Sequence, residues 1–367
     1  MTAFVRVVGL GLVYLLTVAL ARLLGVEVYG DYAAAVSLAA ILATVGAAGM
    51  PTLATRRLAQ TTGRPQVVAV VRVIFAVTML GIAIVLLSAA VSSVFLDREL
   101  PAHLVFAMLL FPVVSLIRVR QGIALPVLGA TRAIAPEQII LPILLILAVW
   151  LLSLLTELHA LLAITAHAVA GLVALTAGVW DLWKAGVLRV GGNAATEHVT
   201  PAVRSMIART ARVGLPFLFT ELPRVLVGNI DIVIATAVLG SKAGGVYAIA
   251  SRFANLIALP LLVVNLTYMP DFARLSKRAE QSELEVLARK AAGLSLLGGA
   301  AVFGALLLFH EGLLTLLGSG FSDVLPLLAI LGVGQMTNSI LGPNGAILQM
   351  THNEVAVMKV VWLQALI

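Results

Sequence analysis

Residues 214–274 read GLPFLFTELPRVLVGNIDIVIATAVLGSKAGGVYAIASRFANLIALPLLVVNLTYMPDFAR, and this stretch sets the architecture of the chain. It contains two apolar runs, 215–239 and 246–268. Each run is long enough to cross a hydrocarbon core about 30 Å thick. The connection between them is short and rich in Gly. We therefore expect a membrane-spanning helical hairpin within an all-α, polytopic membrane protein.

Four ionisable side chains lie within the apolar part of this hairpin: Glu221, Arg224, Asp231 and Arg252. On insertion scales, a charged side chain near the bilayer centre costs about 2.5–3.5 kcal/mol. Such residues usually face a protein interior or a water-filled cavity, where they bind a ligand or an ion. The four side chains are therefore candidates for functional positions.

The beginning of the chain repeats part of the hairpin. The segment ARLLGVEVYGDYAAAVSLAA (21–40) aligns with AVLGSKAGGVYAIASRFA (237–254), so that Gly30 and Tyr32 correspond to Gly245 and Tyr247. A weak internal repeat in a polytopic membrane protein is typical of a duplicated transporter.

The composition excludes several classes of protein. Apolar residues make up 61% of the chain and charged residues 11%, which is far from the usual values of soluble domains. The absence of Cys excludes disulfides and thiolate metal sites, and the six His residues are too dispersed to suggest a metal site. The sequence has no P-loop and no GxSxG pattern. The net charge of +7 is not concentrated on a soluble face, so nucleic acid is not an expected partner.

The apolar runs predict about eleven membrane spans in two bundles. Six precede a polar linker and five follow it, so the second of two six-helix bundles is expected to be incomplete. The predicted domains are 1–180, a linker with an amphipathic basic helix at 181–212, and 213–367. The last run, 355–367, is shorter than a span, and we expect at least one further helix beyond it. The predicted spans are 4–24, 33–53, 67–95, 104–126, 138–156, 160–180, 214–239, 246–268, 287–309, 324–348 and 355–367.

Basic residues concentrate in alternate connections, including 56–72, 184–212 and 274–290, whereas the other connections are short and contain few of them. The positive-inside rule then places the N-terminus and the basic connections in the cytoplasm. We expect a multi-pass protein of the cytoplasmic (inner) membrane. None of the short outer connections could form a catalytic domain.

Three segments resemble polysaccharide flippases. ARLLGVEVYGDYAAAVS is similar to their first helix exit, residues 231–256 resemble their seventh and eighth helices, and GQMTNSILGPNGAILQMTHNE (334–354) resembles their tenth helix and the loop after it. On these motifs the chain is identified as a member of the polysaccharide transporter family, within the multidrug/oligosaccharidyl-lipid/polysaccharide (MOP) exporter superfamily.

This resemblance implies a MATE-like fold in which two six-helix bundles surround a central cavity and give alternating access. It implies a flippase that moves polyprenyl-diphosphate-linked oligosaccharides, such as O-antigen precursors, from the inner to the outer leaflet. The implied partners are this lipid-linked substrate, membrane lipids and polysaccharide polymerase or assembly proteins. No covalent chemistry, cofactor or metal is expected.

For such a cargo, Arg224 is the main candidate for contact with the diphosphate, because a guanidinium forms paired hydrogen bonds with phosphate oxygens. The alternative is an ion pair with Glu221 on the same helix. Glu221 is also a candidate for ion coupling. Asp231 and Arg252 are expected at similar depth, either as a structural ion pair or as an ion-coupling acid and a substrate-binding base. Polar residues that could line a sugar path, or simply bond neighbouring helices, are Asn255, Gln335 and Asn338.

Arg118 and Arg120 lie near the inner end of a predicted span, and we expect them to extend to the lipid headgroups. Two other functions stay open. One is a cation-coupled drug exporter or peptidoglycan-precursor flippase of the same superfamily, although a cation exporter should carry mainly acidic residues in its spans. The other is a membrane glycosyltransferase or polymerase, which the short outer loops disfavour.

Overall fold

The computed structural model describes residues 2–61, 63–95, 102–188, 201–278, 281–318, 320–344, 347–348 and 359–363. Their regular secondary structure is helical throughout, which confirms the predicted all-α membrane fold. The helices are α1 (Thr2–Ala47), α2 (Met50–Gln60), α3 (Arg64–Phe95), α4 (Ala102–Ala135), α5 (Leu141–Ser153), α6 (Ala160–Lys184), α7 (Pro201–Val227), α8 (Ile230–Leu239), α9 (Ser241–Ile257), α10 (Leu259–Arg278), α11 (Gln281–Leu308), α12 (His310–Leu317) and α13 (Val324–Leu341). A π-helical turn, Pro136–Ile140, joins α4 to α5.

Within the described residues, six helices are long and apolar enough to cross a membrane, or eight if each of two bent helix pairs forms one span. The predicted number of spans, eleven, is larger, since two pairs of the predicted spans lie in two continuous helical runs, Val5–Ala47 and Val105–Ser153. Each run is broken by a glycine with a positive φ, Gly25 (φ 73) in α1 and Gly129 (φ 79) in α4. Glycine adopts such a conformation at little cost. The run at 355–367 lies mostly outside the described residues.

The two apolar runs of the predicted hairpin are helical, and both are bent. α7 and α8 meet at 45°, and α9 and α10 meet at 41°. The first bend falls at Gly228 and Asn229, where the α7 helix ends. The basic segment 201–212 was predicted as a separate surface helix, whereas the structure makes it the first part of α7. The linker residues 189–200 lie outside the described residues.

The chain forms two compact units: Met1–Leu24 with Asp31–Ile234, and Gly25–Gly30 with Ala235–Ile367. In the first unit, α2 packs on α3, α4 and α7, while α6 packs on α4 and α5. In the second, α9 and α11 pack on α13, and α10 packs on α11. α7 belongs to the first unit, whereas the predicted domain boundary at 213 divided this helix. The predicted division of the chain into two bundles stays a prediction.

The core of the first unit surrounds α2. Met50, Leu53, Ile74 and Leu58 are buried there together with small residues of α4. α2 is short and only partly apolar, so it is stabilised by helices on several sides rather than by a lipid-facing surface. This packing positions the polar face of α2 that is described below.

In the second unit, the two glycines that the internal repeat aligned lie against each other. A Cβ atom on Gly30 would come 2.9 Å from the backbone nitrogen of Gly245 and would overlap the carbonyl oxygen of Ser241. A Cβ atom on Gly245 would in turn come 3.2 Å from the nitrogen of Gly30. Beside this contact, the rings of Tyr29 and Phe321 meet edge to face with centroids 6.3 Å apart. The two backbones can approach this closely only because neither residue has a side chain.

We expect Gly30→Ala to destabilise the protein by about 1–3 kcal/mol, because the added methyl group has to displace backbone atoms rather than a flexible side chain. The thermal unfolding midpoint of the purified protein in detergent measures this effect. Gly11→Ala is the matched control on the same helix, since a Cβ atom there has no neighbour within 4 Å. Equal midpoints for the two variants would contradict the close contact.

Candidate functional site

A cavity of about 630 Å³ lies within the first compact unit. Its walls come from the end of α1, from α2, from both parts of α4 and from α7. The lining residues are Thr44, Ala47, Gly49, Pro51, Thr52, Thr55, Arg56, Arg118, Gln121, Gly122, Leu125, Ala133, Ile134, Leu218, Glu221 and Val225. The cavity is therefore lined by small residues, hydroxyl groups and a few charges.

The turn between α1 and α2 shapes one side of this cavity. Ala48 and Gly49 both have a positive φ, 49 and 73, and they reverse the chain just before Met50. A Cβ atom on Gly49 would come 2.8 Å from the backbone nitrogen of Leu218, so glycine lets the start of α2 touch α7. On the other side, Thr55 of α2 donates a hydrogen bond to the carbonyl oxygen of Gly122 in α4, at 2.9 Å. These contacts hold α2, α4 and α7 around the cavity.

Arg118 is the central charge of the cavity. Its side chain is partly buried, it donates a hydrogen bond to the hydroxyl of Thr44, and it interacts electrostatically with Glu221. Arg56 adds a second positive charge to the lining. The prediction that Arg118 extends to the lipid headgroups is therefore wrong: the cavity offers the guanidinium polar partners within the protein.

Arg120, which was also expected to reach the headgroups, is buried instead. Its side chain is 3% exposed and forms an ion pair with Glu137, whose side chain is 11% exposed. The same guanidinium donates to the carbonyl oxygen of Ala133. Gly178 of α6 makes room for it, because a Cβ atom there would come 2.6 Å from Nη1 of Arg120.

Glu137 lies on the π-helical turn and links this buried pair to the cavity. Its second carboxylate oxygen accepts a hydrogen bond from Nε2 of Gln121 at 3.1 Å, and Gln121 lines the cavity. Single π-helical turns often occur at functional positions. Arg120, Glu137 and Gln121 thus form a polar network that connects the π-helical turn between α4 and α5 to the cavity wall.

The structure distributes the predicted site residues over both units. In the first unit, Glu221 lines the cavity, whereas Arg224 is exposed on the adjacent surface of α7 and is not part of the lining. The described residues show no ion pair between Glu221 and Arg224. Asp231 of α8 is partly buried, and its carboxylate accepts a hydrogen bond from the backbone N–H of Ile232 at 2.8 Å.

In the second unit, two of the predicted sugar-path residues are in contact. Nε2 of Gln335 on α13 donates a hydrogen bond to Oδ1 of Asn255 on α9, at 3.2 Å. Asn338 is exposed on α13, and the partly buried Arg252 interacts electrostatically with Tyr29. The ligand roles of these residues and the Asp231–Arg252 pair stay predictions.

The sequence reasoning missed Gln121 and Glu137 and misplaced Arg118 and Arg120. A signal was present: Arg120 and Glu137 carry opposite charges on the two sides of Gly129, where the helix breaks. Recognising that break would have placed the two charges close together. Within the described residues, no group of His, Asp and Glu side chains could hold a metal ion.

Comparison with known proteins adds three findings. A family profile described as "Polysaccharide biosynthesis protein" matches residues 1–276. A search of curated sequences found no significant match.

Solved structures with a similar fold are MOP-superfamily transporters. An inward-facing multidrug resistance MATE family transporter aligns with a TM-score of 0.67 and 16% identity, over 96% of this chain and 84% of that chain. The outward-facing conformation of such a transporter aligns with a TM-score of 0.56 and 18% identity, over 96% and 82%. A MOP-superfamily transporter from Pyrococcus furiosus, described as having a binding pocket of reverse polarity that suggests a different function, aligns with 0.57 and 17%, over 98% and 83%.

Proposed function

This chain belongs to the polysaccharide biosynthesis protein family, and from this premise we propose that it is a membrane transporter of the MOP superfamily and a flippase for polyprenyl-diphosphate-linked oligosaccharides. It moves these lipids from the inner to the outer leaflet of the cytoplasmic membrane by alternating access, with its N-terminus in the cytoplasm. Membrane lipids surround it, and a polysaccharide polymerase or assembly protein receives its product. The transfer makes and breaks no covalent bond.

The charge of the cavity in the first unit supports an anionic cargo. Arg56 and Arg118 line it together with a single acidic residue, Glu221. An unpaired phosphate in hydrocarbon has a very large desolvation cost, which hydrogen bonds and opposite charges reduce. A cation exporter would instead need an excess of acidic side chains. For the Pyrococcus transporter, the reverse polarity of the binding pocket is described as suggesting a different function.

The groups around Arg118 suit a diphosphate with attached sugars. A guanidinium presents several donors in one plane, which match two phosphate oxygens at once. Thr44, Thr52 and Thr55 line the same cavity. We propose that the diphosphate binds at Arg118 and Arg56 while the polyprenyl chain stays in the lipid.

We expect the purified protein in liposomes to accelerate the movement of a fluorescent undecaprenyl-diphosphate-linked oligosaccharide between leaflets. Reduction of the dye by a membrane-impermeant reagent measures the accessible fraction over time. Protein-free liposomes and a fluorescent phosphatidylcholine are the controls. Equal acceleration of both lipids, or transport of a cationic dye alone, would contradict the proposal. A probe with a peptidoglycan-type headgroup distinguishes between the two lipid-diphosphate cargoes.

A further inference from the structure

Gln121 lines the cavity, and its amide has one defined orientation. Its Nε2 donates a hydrogen bond to the Glu137 carboxylate, and the residue lines the cavity one helical turn after Arg118. A carboxylate in an ion pair accepts hydrogen bonds and does not donate them. The amide nitrogen must therefore face Glu137, and the amide oxygen, Oε1, is left for other partners.

The position of Glu137 is itself fixed. Arg120 holds one of its oxygens through a buried ion pair and also donates to the carbonyl oxygen of Ala133, which lies on the cavity wall. The carboxylate side chain is nearly buried and lies on the π-helical turn. Neither the turn nor the carboxylate can rotate without breaking these contacts. The described part of the chain provides Oε1 of Gln121 with no hydrogen-bond donor.

We propose that Gln121 is a specificity-determining residue whose carbonyl oxygen accepts a hydrogen bond from a sugar hydroxyl, and that Glu137 is its positioning residue. This inference depends on the proposed function. A diphosphate carries only acceptors at neutral pH, so it gains nothing from Oε1 but bonds well to the guanidinium of Arg118. A sugar hydroxyl can donate to Oε1. Two residues one turn apart on α4 thus distinguish the two ends of the headgroup.

The test measures the affinity of the full chain in nanodiscs for two lipids. One is undecaprenyl diphosphate, and the other is the same lipid with one N-acetylglucosamine attached. We expect Gln121→Leu, which keeps the side-chain size, to weaken binding of the glycosylated lipid by about 2- to 10-fold, the value of one neutral hydrogen bond. Affinity for the bare lipid should stay unchanged.

A second variant tests the role of Glu137. Glu137→Gln alone leaves Arg120 buried without a counter-charge, so we combine it with Arg120→Met. The new amide at position 137 can donate as well as accept, and Gln121 is then free to reverse its own amide. A reversed amide can donate from its nitrogen to a phosphate oxygen of either lipid as well as to a sugar hydroxyl. We therefore expect the double variant to lose preference for the glycosylated lipid while it still binds the bare lipid.

The outcomes separate the two proposals. If the wild-type protein binds neither lipid, both this inference and the proposed function are wrong. A different result is that the wild-type protein binds both lipids while Gln121→Leu lowers the affinity for both equally, or for neither. In that case Gln121 does not recognise the sugar, and the proposed function still stands. Thermal unfolding of each variant shows whether a loss of affinity reflects a loss of folded protein.

Discussion

Arg118→Gln should reduce transport of the diphosphate-linked lipid in liposomes by about 10- to 100-fold. A hydrogen bond to a charged group contributes about 1.5–3 kcal/mol, and every 1.4 kcal/mol changes an equilibrium tenfold. Glutamine can still bond Thr44, so the wall of the cavity should persist. Arg118→Lys keeps the charge but loses the planar guanidinium. Its transport rate should lie between those of the wild-type protein and Arg118→Gln. Initial rates of probe movement provide the measurement.

Two controls determine why transport falls. Arg289→Gln removes a basic residue from an exposed pair with Glu285 on α11, and it should leave the rate unchanged. The double variant Arg118→Gln/Glu221→Gln removes both charges of the Arg118–Glu221 interaction and keeps Arg56, so the lining has the same net charge of +1 as in the wild-type protein. If transport returned to the wild-type rate in the double variant, Arg118 would only neutralise Glu221, and its role in cargo binding would be disproved.

Glu137→Leu should destabilise the protein by about 3–5 kcal/mol, because it leaves the Arg120 guanidinium buried without a counter-charge. In the structure this guanidinium is 3% exposed, and its Nε and Nη1 atoms already have no hydrogen-bond partner. We expect most of the variant to aggregate on extraction from the membrane. The fraction that elutes as a single species in size-exclusion chromatography measures the loss.

Arg120→Met/Glu137→Leu is the matched double variant. It replaces the whole ion pair with apolar side chains of similar length, and such replacements are often neutral or stabilising. We expect it to recover most of the folded protein that Glu137→Leu loses. If the double variant were as unstable as the sum of the single variants, the pair would not be energetically coupled.

The fold was predictable from the sequence because membrane-spanning helices need long apolar runs. The helices within 214–274 and the all-α architecture followed from this requirement alone. The number of spans was not predictable in the same way. Helix continues on both sides of the breaks at Gly25 and Gly129, and each bend within 214–274 falls inside a run that is long enough to be predicted as one span.

The candidate site was only partly predictable. Glu221 was identified because a charge in an apolar run is conspicuous, and it does line the cavity. Arg118 was misassigned because an arginine near a span end can either extend to the lipid headgroups or contact polar groups inside the protein. Only the contacts with α1 and α7 distinguish the two. Glu137 was missed because it precedes its predicted span. Its importance depends on a tertiary contact with Arg120 across the break in α4.

Residues 25–30 belong to the second compact unit although they come early in the chain. A fragment that starts at Ala235 would lack the backbone against which Gly245 packs and the ring that meets Phe321. A gene cut within the linker would therefore yield two polypeptides that have to be synthesised together, each completing the other. During translation, residues 25–30 can pack in the second unit only after residues from 235 onwards have been synthesised.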